Sequence, residues 1–319
     1  MRLLVLGGTR FVGRALVEDA LARGWEVAAL NRGTRPLPAG AELLQADRTD
    51  ADALRAALTG RAFDGVVDTW AGAPRAAALA ASVVEAERRA YVSSCSVYVW
   101  GQHVDESSPV VAGSPDADES DYAADKRGGE LAWDGALWLR AGLILGPHED
   151  IGRLPWWLSR ISRGGRVVAP GRPARPLQYV DARDLASFGL DLLAAGRTGP
   201  VDVTSASGHA TTRSLLEACT ASTDSDAALE WVPWERLSAA GVEPWTQLPC
   251  WVPEDGEFAG FLEADASYAA SLGLVCRPVE ETVADTWAWV QRDGMPEQRP
   301  DRAVHGLPSD VEAALLSTP

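Results

Sequence analysis

Arg2-Leu3-Leu4-Val5-Leu6-Gly7-Gly8-Thr9-Arg10-Phe11-Val12-Gly13 is the stretch whose reading decides the fold. A short apolar run breaks into two glycines, and a helical pattern follows from Phe11 to Arg23 with Val12, Ala15, Leu16 and Ala20 on one side. The run reads as a buried first strand. Gly7 and Gly8 let the backbone turn and approach a ligand, and Gly13 lets the helix pack closely on the sheet. A dinucleotide needs its pyrophosphate against backbone N–H groups at a helix N-terminus, where the helix dipole favours negative charge. An ordinary tight strand–helix turn is the plain alternative for a glycine pattern taken alone. Its position in the first βα unit favours the dinucleotide.

Working outward, strand candidates recur at Trp25–Leu30, Gly65–Asp68, Ala90–Ser94 and Leu137–Ala141. Helical patterns lie between them at Asp50–Leu58, Ala76–Ala86 and Asp121–Trp133. Strands alternating with helices at this spacing imply βαβ units and a parallel sheet. Right-handed crossovers make that sheet a Rossmann-type, doubly wound α/β fold. Gly101–Asp121 is polar and rich in Ser, Asp and Pro, and reads as a loop. Beyond Gly146 the segments shorten, prolines become frequent, and ten of the thirteen tryptophans fall between Trp133 and Trp289. This predicts a cofactor-binding domain over 1–204, with 147–175 lending residues to a substrate pocket. A smaller C-terminal α/β substrate region follows over 205–319. Helices are expected near Thr212–Thr220 and Val279–Val290, with a Pro- and charge-rich tail draped beyond Gln291.

The end of the second strand, Asn31-Arg32-Gly33, carries no acid. A free ribose 2′-hydroxyl favours an acidic residue there, and a 2′-phosphate favours arginine. Arg32, with Arg10 closing from the glycine turn, therefore favours NADP(H), with NAD(H) as the other form; a forked guanidinium suits phosphate. Solvated surface arginines are the plain alternative in so arginine-rich a chain. Asp47, after the third apolar run, is placed to bond the adenine, or else is an ordinary loop aspartate.

Tyr122-Ala123-Ala124-Asp125-Lys126 sets a phenol and an ammonium at i and i+4 on one helix face. A free tyrosine titrates near about 10 and is a poor base at neutral pH. A cation held close favours the phenolate, so the residue can pass a proton to or from an alcohol as hydride moves. Lys126 is the single lysine in 319 residues, and it falls four residues after a tyrosine. Arginine differs in shape and donor set and does not replace it. The third member is Ser94, at the end of Tyr91-Val92-Ser93-Ser94-Cys95-Ser96-Val97-Tyr98, where a hydroxyl can polarise a substrate carbonyl. Spacing leaves Ser93 and Ser96 as competitors.

The bulk composition narrows the function classes. A formal charge of −16 repels a phosphate backbone and argues against a nucleic-acid partner. No run reaches the roughly 18 apolar residues of a membrane span, so no membrane partner is expected. Four cysteines, Cys95, Cys219, Cys250 and Cys276, show neither metal spacing nor disulfide density and suit a reducing cytoplasm. His103, His148, His209 and His305 are scattered, so no metal site is expected. Without a G-x-S-x-G motif, Ser94 does not read as a hydrolase nucleophile.

Together these segments resemble the extended and atypical short-chain dehydrogenase/reductase superfamily, of the NAD-dependent epimerase/dehydratase type. The likeness spans residues 1–290 and includes the Leu139–Pro147 and Tyr179–Leu185 stretches. The resemblance implies that Ser94, Tyr122 and Lys126 are catalytic, and that Gly7, Thr9, Phe11, Val12 and Gly13 lie along the pyrophosphate. It also implies pairing into a homodimer through the helices that carry the Tyr–Lys motif. The chain departs from the family pattern in three places. Arg10 replaces the middle glycine, Asp68-Thr69-Trp70-Ala71-Gly72 replaces an Asn-rich motif, and Leu177-Gln178-Tyr179 stands where nucleotide-sugar epimerases carry arginine, although Arg175 is close by. The function expected first is NADP(H)-dependent oxidoreduction of a hydroxyl or carbonyl on a small organic molecule. An NAD(P)-dependent sugar or sugar-nucleotide epimerase or dehydratase is the alternative. A non-catalytic NADP-sensing regulator is the second.

Overall fold

The computed structural model describes residues 1–101, 104–297, 299 and 302–317, with the Glu257 side chain left out. His103 lies outside the described residues. Its strands are β1 (Arg2–Leu6), β2 (Glu26–Asn31), β3 (Glu42–Gln45), β4 (Phe63–Asp68), β5 (Ala86–Ser94), β6 (Leu137–Ala141), β7 (Leu143–Leu145), β8 (Arg166–Pro170), β9 (Pro176–Leu177), β10 (Tyr179–Asp181), β11 (Gly199–Val203), β12 (Ala210–Thr211) and β13 (Ala228–Val232). The helices are α1 (Phe11–Ala22), α2 (Ala51–Leu58), α3 (Pro74–Val83), α4 (Tyr122–Ala132), α5 (Arg153–Ile161), α6 (Ala182–Ala194), α7 (Thr212–Thr223), α8 (Trp234–Ala239), α9 (Ser267–Ser271), α10 (Val279–Asp293) and α11 (Ser309–Ser317).

Seven parallel strands form one sheet in the order β11-β6-β5-β4-β1-β2-β3. Leu3 to Leu6 of β1 are all buried, because helices cover both faces and a continuous apolar run is what such a strand needs. On one face Val12 and Leu16 of α1 pack with Ala186 and Leu190 of α6. On the other, Leu54 of α2, Ala77 and Ala80 of α3 and Trp133 close the second layer. A further core gathers Leu143 to Tyr179 with the chain from Ala210 onward, around Trp157, Leu216, Trp251 and Val283. It holds the short pairs β7–β10 and β8–β13, both parallel.

Several boundaries differ from the sequence expectation. α3 stops at Val83, and β5 begins at Ala86 with Glu87, Arg88 and Arg89 near its start, so the strand is longer than its apolar part. The tail is not merely draped: α11 folds back, burying Leu307 and Leu315 in the second core. Glu312 holds it there, accepting from Arg160 Nε at 2.7 Å and from the Val168 N–H at 3.2 Å. No helix among the described residues is long and apolar enough to cross a membrane.

Candidate active site

β1 and β4 are neighbours, and the chain leaves them toward opposite edges of the sheet, so a crevice opens beyond their carboxyl ends. The glycine turn borders it. Gly7 and Gly8 take φ of 128° and 93°, values that favour glycine. Thr69, just past β4, donates its hydroxyl to Leu6 O at 2.9 Å and fills the space that a side chain on Gly7 would need. A Cβ on Gly13 would stand 2.7 Å from Gly8 N, so α1 can approach the turn only with glycine there. No side chain caps α1 and its first turn holds no acid. Its opening N–H groups, around Phe11, Val12 and Gly13, therefore suit a pyrophosphate.

α4 begins at Tyr122 because Asp121 caps it, accepting from the Ala123 and Ala124 N–H groups at 3.0 and 3.1 Å. Tyr122, Lys126 and Glu130 follow one another at four-residue steps along the helix. Tyr122 is 43% exposed, and the Arg302 guanidinium lies 5.7 Å from its ring centroid. Lys126 is buried. Its Nζ donates to Trp70 O and Val92 O, both at 2.7 Å, and sits 4.8 Å from the Tyr91 ring centroid. No hydrogen bond joins Lys126 to Tyr122 among the described residues. Burial pulls the Lys126 ammonium down to about 7, against the opposing Asp68 carboxylate.

Ser94 ends β5, two residues after the carbonyl that Lys126 holds. Its Oγ accepts from the Ser96 N–H and donates to Ser96 Oγ, each at 3.1 Å, capping the short turn Cys95–Val97. Ser93 turns the other way and donates to Glu130 Oε1 at 2.7 Å. Ser93 is thus engaged by Glu130, while Ser94 and Ser96 share the strand end. Glu130 also accepts from Arg140 Nε at 2.8 Å and Arg127 at 2.8 Å. Arg140 continues to the Tyr98 hydroxyl at 2.9 Å, which donates to Asp202 Oδ1 at 2.6 Å. This buried array locks α4 to β5, β6 and β11. The sequence reading missed it, although Glu130 four residues after Lys126 and a charge inside the apolar Leu137–Ala141 run were its signals.

The cofactor candidates at the far end fall into different settings. Arg10 donates to Asp150 Oδ2 at 2.9 Å, and Arg299 reaches the same oxygen at 3.5 Å. Arg32 is exposed at the end of β2. Asp47 is exposed too, and its carboxylate accepts from the Thr49 N–H and hydroxyl at 2.9 and 2.7 Å, bonds that hold it below the usual range. The buried cation nearby is Arg48, which grips Asp68 through two bonds of 2.6 and 2.7 Å. Trp133 Nε1 and the Trp70 N–H complete the Asp68 shell, so this acid stiffens the loop after β4. Gln178, in the departed arginine position, clamps Ser205 O and Ala264 O at 3.0 and 2.8 Å. Arg175 pairs with Glu263 at 2.9 Å. Among the described residues no three His, Cys, Asp or Glu side chains converge on a metal-sized site.

Solved structures share this architecture. UDP-glucose 4-epimerase of Thermus thermophilus, solved with NAD, is 20% identical with a TM-score of 0.63, covering 92% of this chain and 100% of its own. The Bordetella bronchiseptica enzyme WbmG, solved with NAD and UDP, is 19% identical with a TM-score of 0.68, covering 95% and 99%. UDP-glucose 4-epimerase of Thermotoga maritima, solved with UDP-glucose, is 16% identical with a TM-score of 0.66, covering 92% and 99%. At these identities the likeness is one of fold. No curated protein sequence matches the chain. The family model of the NAD dependent epimerase/dehydratase family matches residues 3–204. With most of the chain matched, and with the glycine turn and the α4 residues lying inside the match, the protein belongs to the NAD dependent epimerase/dehydratase family.

Proposed function

We propose that the protein is a nicotinamide-dinucleotide-dependent epimerase or dehydratase that works at a hydroxyl-bearing carbon through Ser94, Tyr122 and Lys126. The observation that carries this reading is the bond from Lys126 Nζ to Val92 O. It fixes the helix bearing Tyr122 against the strand that ends at Ser94. The family match favours this over net oxidoreduction, and the solved neighbours support a sugar or sugar-nucleotide as the substrate to test first.

In this reading the Tyr122 phenolate oxygen takes the proton of the substrate hydroxyl, and the phenol so formed later returns it. The Ser94 hydroxyl donates to the same substrate oxygen as it becomes a carbonyl and back. As an ammonium, the form it takes below about pH 7, Lys126 presents three N–H donors. Two are held by Trp70 O and Val92 O, and the third is left for a ligand hydroxyl beside Tyr122. Gly7, Thr9, Phe11, Val12 and Gly13 would hold the pyrophosphate. A nicotinamide dinucleotide held there would supply reversible hydride transfer. Since Arg10 is engaged by Asp150, Arg32 is the residue that admits a 2′-phosphate. Asp47, electrostatically close to Arg32, would be the partner of the adenine.

Purified protein should carry bound dinucleotide and bind added NADH by fluorescence titration. Arg32→Ala should weaken NADPH while sparing NADH. Tyr122→Phe should keep cofactor affinity and lose turnover by about two to four orders of magnitude. Failure of both cofactors to bind would sink the reading. A Tyr122→Phe variant indistinguishable from wild type in every assay would favour a cofactor sensor.

A further inference from the structure

β5 begins before its neighbours on one side. Toward β4, Arg88 stands opposite Gly65 and Arg89 opposite Val66. On the other side β6 starts only at Leu137, opposite Ala90, and β11 starts level with it at Gly199. The first four residues of β5 therefore have no strand beside them there. A strand covered on both faces needs an apolar run, yet this one opens Ala86-Glu87-Arg88-Arg89. The step leaves a cavity of about 340 Å³, bounded by these charged residues, by the turn at Gly135 and by Arg197 and Thr198 between α6 and β11. It lies at the amino end of the sheet, opposite the crevice. Arg89 precedes Ser94 by five residues, about 16 Å of strand.

Three guanidiniums line this cavity, and one carboxylate answers them. Glu87 lies 3.4 Å from Arg88 in a largely exposed pair, a contact that contributes little. Arg89 is half-buried and Arg197 is exposed. Among the described residues neither comes within 4.0 Å of a carboxylate, and no acceptor takes a bond from either guanidinium. Elsewhere in this acidic chain arginines find acids: Arg23, Arg48, Arg140, Arg183 and Arg277 each hold one. The end of α6 is no substitute partner. Leu193 O and Leu192 O already accept from the Gly196 and Arg197 N–H groups, both at 3.0 Å. Gly135 and Gly196 take φ of 70° and 69°, and a side chain at either would meet nothing within 4 Å. The two turns thus leave the rim open.

We propose that this cavity binds a phosphate group, as inorganic phosphate or as the end of a phosphomonoester. Arg89 and Arg197 offer forked N–H donors that suit its oxygens. Arg88 adds charge, and the Thr198 hydroxyl is a further donor. Three guanidiniums less one carboxylate leave two positive charges, which match a dianion. No aromatic ring lines the cavity, so the phosphate itself is recognised and not a flat body attached to it. The site is separate from Ser94, Tyr122 and Lys126 and does not depend on their roles.

The test is calorimetric titration of the whole protein with inorganic phosphate, glycerol 3-phosphate and acetate at constant ionic strength. Wild type should bind both phosphates and not acetate, and the tighter of the two names the source of the group. Arg197→Gln alters an exposed side chain, leaves the fold intact and should weaken both phosphates by about tenfold. Arg89→Gln should do the same. Arg89→Lys, which keeps the charge but not the fork, should fall between. Arg10→Gln controls for phosphate settling at the N-terminus of α1, and should leave the affinity unchanged. Equal affinity in wild type and Arg197→Gln would overturn the proposal. So would weakening in Arg10→Gln alone, acetate bound as well as phosphate, or wild type that takes up no phosphate at about 1 mM.

Discussion

Lys126 is the single lysine of the chain, so protein labelled at the lysine ε-carbon gives one side-chain signal to follow. Its nitrogen meets two carbonyls, Trp70 O and Val92 O, and a neutral amine still has two N–H groups to satisfy them. Burial makes the neutral form favourable, which is why the group is drawn down to about 7. The signal should therefore titrate near pH 7; titration at about 10.4, the free value, would mean that the side chain is solvated. The stability consequence has a definite sign. Between pH 7 and the free value, the unfolded chain holds a proton that the folded chain has released. Stability from this residue then rises with pH across that window, and the burial penalty is fully present below it. The wild-type urea midpoint should gain relative to Lys126→Met as the pH climbs from about 7 to about 10.

At the scale of elements, α4 and β5 set the distance between Tyr122 and Ser94, and Gly129 lets them meet. A Cβ there would collide with the Tyr91 hydroxyl, which already donates to Trp70 O at 2.9 Å. Gly129→Ala should destabilise by about 1–3 kcal/mol, as over-packing does, measured by urea unfolding. It should also push α4 outward, loosening the Lys126–Val92 bond and moving the lysine titration upward. An unchanged titration would show that Tyr91 yields instead of the helix. The Tyr–Lys spacing was legible because it is local: Asp121 caps a helix whose bounds match the pattern read from sequence to within a residue. The partners of Lys126 were not legible, since they lie 56 and 34 residues away. The same holds for Arg48 with Asp68, and for α11, whose short apolar face makes sense only against Arg160 and β8. Periodicity reveals a buried face. It does not reveal which distant face covers it.

For the whole molecule, a net charge of −16 opposes the arrival of any anionic cofactor. The crevice counters this only locally, through the uncapped N-terminus of α1 and through Arg32, since Asp150 offsets Arg10. Such local donors act at contact, whereas the global charge acts over the screening length, about 8 Å at physiological ionic strength. Added salt should therefore remove the long-range repulsion first. The association rate of NADH, followed by stopped-flow fluorescence, should rise severalfold between about 0.01 and 0.15 M salt. A ligand steered by opposite charge behaves the other way. NADPH carries more charge, so its association should gain more. Its equilibrium affinity should gain less, because the exposed Arg32 contact is itself screened. A fall in the NADH rate with salt would mean that the local field of α1 and the crevice arginines outweighs the acidic surface. The charge balance of the whole chain would then have no bearing on how the cofactor enters.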